Sequence, residues 1–558
     1  MDPLIIVVLG LLAIAAASIF SARLGIAAPL LLVVTGIGVS FLPFVPAFEI
    51  EPEWILGGVL PPLLYSASAS MPATRFQRDV TAIGSLSVVL VVLSAVVLGL
   101  FFAWLVPGLA LGWGIALGAI ISPTDAVATT IVRRLGVSRR VVAILEGESL
   151  LNDATALVLL RAAIAGAGAS VSLWGVAATF VYSVIAAAVI GLIAGHLVLW
   201  LRARVDDPAV NTLISFTTPF LAAIPTSELG ASGLVAAVMA GLVTGRHAPE
   251  VLSVRHRLSD LQNWRMVELV LEGAIFLVMG LQVSGIVGDV QADHAGIGRA
   301  VALAAGALVV TVAVRTAFVA PLLAALRGRA ARGESFRPWL VSAQDRLETG
   351  DTSAFQRFSF RSRPPNLTSA AIDRLRDRIR RGLASIDYFL AEPLRWPEGV
   401  IVVWAGMRGA VTLAAAQTLP ADTPQRSLLV LVAFLVATGS LFVQGLSLPW
   451  VIARVRPAAP DPVAEHEEQR RITALLHVTA ETVGREADER EDGRRITSGP
   501  DTDAERRRAL TTITAQRAAL LDARDDGTFS EQGLADALTT LDIEQIRLEL
   551  SAEPIGGA

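Results

Sequence analysis

The chain of 558 residues contains no cysteine and no lysine. The first absence excludes disulfides and thiolate metal centres. The second makes all 46 basic residues arginine, which a GC-rich genome explains better than a chemical demand for guanidinium. Charged residues are sparse at 17%, against 53% hydrophobic residues and a mean hydropathy of +0.60. No basic stretch or small-residue cleavage site accompanies the first apolar run, so Leu4–Phe20 reads as a retained helix, not a signal peptide. No P-loop or GxGxxG string is present, which disfavours ATP-driven chemistry, and nothing points to a nucleic-acid partner. The net charge of -4 says little about partners, because the charge is segregated along the chain.

What is present is a series of apolar segments. A bilayer-spanning helix needs about 20 residues. About thirteen such segments fall near 4–20, 26–42, 54–70, 80–106, 109–132, 141–165, 173–201, 210–224, 230–245, 265–287, 298–326, 399–419 and 427–453. The fold class is therefore an all-α polytopic membrane protein whose partner is the lipid bilayer. Alternate connections hold Arg23, Arg75, Arg78, Arg133, Arg134, Arg139, Arg140, Arg202, Arg204, Arg246, Arg255, Arg257 and Arg265. The opposite connections hold only Arg299 and Arg426, near acids such as Glu49, Glu51, Glu53 and Asp289. The arginine-rich side is expected to face the cytoplasm, which puts the N-terminus outside and the C-terminus inside a bacterial-type cell membrane.

The expected organisation is a transmembrane domain over 1–453, interrupted by a cytoplasmic insertion at 327–398, and a cytoplasmic helical tail at 454–558 that is a candidate for regulation. The insertion carries an amphipathic basic stretch at Ala371–Leu390, read as a helix against the bilayer or the domain's underside. The tail has helical periods near 465–489, 502–524 and 530–552; its partner is unknown, and His477 there is read as a surface residue. Thirteen segments suit an inverted repeat in which segments 1–6 and 8–13 are two halves joined by the seventh. Segment 5, broken at Ser122-Pro123, then matches segment 12, interrupted at Gly406-Met407-Arg408-Gly409. Interrupted segments at matching positions point to a transport site.

Polar residues cluster at membrane depth around the first break. Glu148 precedes Asn152 by one turn, and Ser149 precedes Asp153 by one turn. Ionisable groups there are costly and are functional by default. A dry Asp153 is a carboxylate for which a proton and a small cation compete. Ser149, Thr124 and the carbonyls freed at Pro123 supply the neutral oxygens a hard cation requires. Asp125 either caps the second half of segment 5 or forms a second site. Glu148 is expected to pair with Arg408, with Arg315 as the rival partner, in a structural role. Glu268 and Glu272, one turn apart, either line a cytoplasmic funnel or sit near the interface; the interface is favoured for Glu268. No histidine near Ser149 in sequence suggests a catalytic triad, so enzyme activity is not expected.

With those residues in view, the chain resembles the monovalent cation:proton antiporter family, in its NhaP-like sodium/proton branch. The resemblance rests on LPPLLYSAS at 60–68, ISPTDAVAT at 121–129, LEGESLLNDATALV at 145–158, GAIFLVMGLQV at 273–283 and WAGMRGAVTLAAA at 404–416. It implies two crossing broken helices and a homodimer. It implies that Asp153 is the shared cation and proton carboxylate, with Ser149 and Thr124 as ligands. Asn152 would orient the site and Glu148 would bridge to Arg408. An Asn before that Asp is similar to the electroneutral branch, which exchanges one sodium or lithium ion for one proton in pH and sodium homeostasis, without a cofactor. Several relatives carry an acid where this chain has Ser66, which leaves a neutral oxygen there and leaves cation preference open. Potassium/proton exchange on the same fold is the alternative, and a membrane pH sensor is the more distant one.

Overall fold

The structure is a computed structural model describing residues 3–43, 50–71, 73–168, 173–294, 296–348, 369–457, 462–491, 502–526 and 529–550. Helix is the regular secondary structure throughout the described residues. In chain order come α1 (Pro3–Leu24), α2 (Ala28–Ser40), α3 (Leu60–Ser70), α4 (Ala73–Gly84), α5 (Leu90–Leu105), α6 (Leu111–Ile121) and α7 (Val127–Arg134). α8 (Arg139–Gly168), α9 (Leu173–Arg202), α10 (Pro208–Glu228), α11 (Gly233–Val251), α12 (Val254–Leu281), α13 (Val283–Ala292) and α14 (Ile297–Glu348) follow. The remainder are α15 (Ser369–Ala391), α16 (Trp396–Trp404), α17 (Ala410–Gln417), α18 (Arg426–Val455), α19 (Pro462–Glu491), α20 (Thr502–Asp526) and α21 (Glu531–Leu550). Short π-helical turns at Trp54–Val59 and Ser85–Val89 lead into α3 and α5.

Seven stretches among the described residues are long and apolar enough to cross a membrane: Leu4–Leu24, Phe76–Leu105, Arg139–Ala167, Ala177–Arg202, Val254–Ala292, Ile297–Arg346 and Arg426–Val455. α2 and α6 are shorter apolar helices. Large apolar side chains stand exposed along α1 and α9, as on a surface whose solvent is lipid. Helix starts follow local chemistry: Asp207, Ser232 and Ser253 each accept a backbone N–H from the first turn of α10, α11 and α12.

The chain divides into two compact units, Met1–Ala324 with Leu394–Ala459, and Ala325–Pro393 with Pro460–Ala558. In the second unit Ile379 of α15 packs with Leu340 and Ala343. The tail helices α19, α20 and α21 share a core of Ile472, Ile513, Leu520, Leu534 and Leu541, with Arg517 bonded to Asp542 at 2.7 Å. His477 is exposed and lies 3.2 Å from Glu481, one turn on.

Three local expectations change. α14 does not stop near residue 326 but continues to Glu348, because the following residues are mostly good helix formers. Arg255, Arg257 and Arg265, placed in a connection by sequence, lie within α12. Arg140 and Arg202 are not loop cations in solvent. Arg140 is 3% exposed and bonds Asp79 of α4 at 2.9–3.0 Å; Arg202 is fully buried and pairs with Asp260 of α12.

Close packing in the first unit depends on small residues spaced one turn apart. Gly114 and Gly118 seat α6 against α5, and Gly241 and Gly245 seat α11 against α3. A β-carbon on Gly241 would lie 2.5 Å from the Tyr65 carbonyl oxygen, a backbone atom that cannot swing away. Gly241→Val is therefore expected to cost about 1–3 kcal/mol by overpacking and to lower the melting temperature in detergent. Gly38→Ala, which meets open space, leaves it unchanged. Equal melting of the two variants would contradict this contact.

Candidate functional site

The two interruptions meet. Proline at 123 removes a backbone donor and ends α6, and the run Ala405–Gly409 separates α16 from α17. The Asp125 N–H donates to the Met407 carbonyl at 2.7 Å, so each break satisfies backbone groups of the other. Arg408 lies at the crossing, 3% exposed. Its Nε donates to the Ile121 carbonyl at 3.0 Å, Nη2 reaches the Ser122 carbonyl at 3.5 Å, and Nη1 donates to the Gly406 carbonyl. The guanidinium thus closes the carbonyl end of α6, where the helix dipole favours a cation. Gly409 is required at this point, since a β-carbon there would overlap the Asp125 carboxylate.

The expected Glu148–Arg408 pair is corrected by this arrangement. Glu148 is instead held by Arg315 of α14, with Nη1 and Nη2 at 2.5 and 2.7 Å from its two oxygens. Both side chains are at most 3% exposed, and Arg315 Nε also donates to the Val402 carbonyl at 3.0 Å. The fork matches the carboxylate in a bidentate pair. Arg408 is unavailable because the broken end of α6 already uses its donors.

Behind the pair runs a hydrogen-bonded chain. Thr124 Oγ1 donates to Glu148 at 3.2 Å and accepts from Asn152 Nδ2 at 2.7 Å; the same amide reaches the Thr124 carbonyl at 3.2 Å. Asn152 is completely buried. Its role here is to hold Thr124, and through it the broken segment, against α8.

In front lies a cavity of about 270 Å³ in which Asp153, Ser149, Thr124, Asp125 and Glu272 come together. Asp153 is 6% exposed, and among the described residues its carboxylate meets no hydrogen-bond donor and no arginine. Asp125 accepts the N–H of Val127, the first residue of α7, at 3.0 Å, and its carboxylate also lines the cavity. Ser66 does not line it; its hydroxyl donates to Glu268 at 2.5 Å. Glu268, favoured by sequence for the interface, is a wall of the cavity alongside Glu272.

Sequence reading missed Glu146, which lines the cavity and pairs with the largely exposed Arg133. Its signal was available: Glu146, Ser149 and Asp153 are spaced three and four apart, one stripe of α8, whereas Glu148 and Asn152 form the neighbouring stripe. It also missed the packing of α3 on its neighbours, where Tyr65 meets Trp264 at 5.1 Å and bonds Thr244 at 3.2 Å.

Residues 8–360 match the model of the sodium/hydrogen exchanger transmembrane family. The chain belongs to that family. An uncharacterised Na+/H+ exchanger of Mycobacterium bovis is 28% identical over 98% of this chain and 96% of its own length. The Na+/H+ antiporter ApNhaP of Aphanothece halophytica is 24% identical over 76% of this chain and 69% of its own. In fold, the chain is similar to the sodium proton antiporter MjNhaP1 from Methanocaldococcus jannaschii, with a TM-score of 0.56 and 15% identity over 82% of this chain and 99% of that one. This exchanger is accordingly a multi-pass membrane protein whose relatives are transporters, not enzymes.

In this exchanger the Glu148–Arg315 pair is a unit, and removing either partner strands a buried charge at about 3–5 kcal/mol. Glu148→Gln and Arg315→Gln should each lower thermal stability strongly, and the double variant should lose much less than the sum. Additive losses in that cycle would show that the two do not act together.

Proposed function

We propose that the protein exchanges one sodium or lithium ion for one proton by alternating access, with Asp153 as the shared carboxylate. The observation that carries this reading is the contrast between two acids one turn and a residue apart on α8. Glu148 is neutralised internally by Arg315, whereas Asp153 faces the cavity with no internal cation. An anion in that setting is neutralised by whatever the cavity supplies, a proton or an alkali ion. Ser149 and Thr124 provide neutral oxygens for the metal ion. Thr124 already donates to Glu148 and accepts from Asn152, so one lone pair remains to face an ion.

Only the neutralised carboxylate crosses readily between the two access states. Each cycle then carries one positive charge in either direction, so transport is electroneutral, in the service of pH and sodium homeostasis. Asn152, next to Asp153, cannot carry a second proton, in keeping with this stoichiometry. The cavity's lining by Arg133 and Glu146 supports an opening toward the arginine-rich, cytoplasmic side. The reading includes about thirteen spans in residues 1–453 of the cell membrane, the N-terminus outside and the C-terminus inside, a homodimer, and a regulatory role for the tail at 454–558. Potassium is the second candidate substrate. An antiporter of Bacillus subtilis named for sodium, potassium, lithium and rubidium is 29% identical over 48% of this chain and 41% of its own length.

Reconstituted into liposomes, the wild-type protein should dissipate a proton gradient when sodium is added, at the same rate with the membrane potential clamped at zero or at a large negative value. Asp153→Asn should reduce the rate to that of empty liposomes while remaining monodisperse and normally helical. Sodium-driven proton movement in that variant, or a rate that follows the potential, would overturn the assignment.

A further inference from the structure

Away from the cavity, His196 of α9 and His247 of α11 approach with ring centroids 5.3 Å apart and planes inclined by 49°. The approach is built into the helix contact. Gly195 lets α9 close on α11, since a β-carbon there would lie 2.9 Å from Cβ of Val243, one turn before His247. Each ring is held the same way, His196 Nδ1 lying 2.9 Å from the Leu192 carbonyl and His247 Nδ1 3.1 Å from the Val243 carbonyl. A carbonyl oxygen only accepts, so both neutral rings carry their proton on Nδ1. Among the described residues neither Nε2 lone pair has a partner. An Nδ1–H anchored on a carbonyl is the outer-shell arrangement that fixes tautomer and orientation in metal-bound histidines.

We propose that His196 and His247 form a two-nitrogen site for a divalent transition-metal ion of the zinc class, bridging α9 and α11. A zinc-bound imidazole nitrogen lies about 2.0–2.1 Å from the metal, which puts each ring centroid about 3.2 Å away. An ion bound by both rings, whose centroids are 5.3 Å apart, would see them at about 110°, the tetrahedral angle that zinc adopts. His196 is exposed and His247 half-exposed, within two turns of the C-terminal ends of α9 and α11, where water at the membrane boundary supplies the remaining ligands. The site lies near the C-terminal ends of both helices, four residues before Val251 of α11 and six before Arg202 of α9. It does not depend on the exchanger reading.

The test uses tag-free full-length protein in detergent with the metal alone. Electron paramagnetic resonance of one equivalent of Cu2+ should show two imidazole nitrogens, and Zn2+ should displace the copper. His196→Gln and His247→Gln should each leave one nitrogen and weaken Zn2+ binding by at least the about tenfold that lesser, outer-shell changes cause. The nitrogen count in the wild-type protein is informative even if a variant fails to fold. Absence of binding, a single nitrogen in the wild type, or binding that survives the double substitution would overturn the proposal.

Discussion

The bidentate hold of Arg315 on Glu148 decides the chemistry around it. A membrane interior tolerates a carboxylate only when something cancels its charge. By satisfying Glu148 from within the protein, Arg315 leaves Asp153, on the next stripe of α8, as an acid of the cavity with no arginine partner among the described residues; in the proposed exchange its cation comes from outside. The same pair orders its surroundings: Glu148 receives the Thr124 hydroxyl, Thr124 receives the Asn152 amide, and the broken end of α6 is held against α8. In the proposed function, structural and ion-binding tasks are thereby divided between neighbouring stripes of one helix.

The crossing of the breaks solves a second problem of the same kind. Interrupting two helices at depth exposes backbone donors and acceptors where water is scarce. Here each break is the other's partner, through the Asp125 N–H on the Met407 carbonyl and the Arg408 guanidinium on the carbonyls of Ile121 and Ser122. Arg408 therefore acts as a helix cap and not as a counter-ion. That assignment explains how a buried arginine persists where, among the described residues, it forms no ion pair.

Much of this was legible in the amino-acid sequence, for stated reasons. The helices follow from long apolar runs, the breaks from Pro123 and from Gly406–Gly409, and the Ser149–Asp153 stripe from helical spacing. The three tail helices appear at the periods read from their composition. The partner of Glu148 was not decidable by spacing, because Arg315 and Arg408 are both single arginines in apolar helices. What separates them is the demand of the α6 carbonyls, which exists only once the two broken segments cross. Glu146 is marked only by its three-residue spacing to Ser149, a weaker signal than the adjacent Glu148 gives by lying deeper in the apolar run. Arg140 and Arg202 were counted as loop charges because their partners, Asp79 and Asp260, are 61 and 58 residues away.

The central claim is that a proton and an alkali ion exclude one another at Asp153. Sodium binding to the purified protein, titrated at a series of pH values, tests it most directly. Competition for one carboxylate predicts an apparent dissociation constant that is flat at alkaline pH and rises about tenfold per pH unit on the acid side, with a proton released for each sodium bound there. A dissociation constant that stays level across the whole range, with no proton release, would contradict the account.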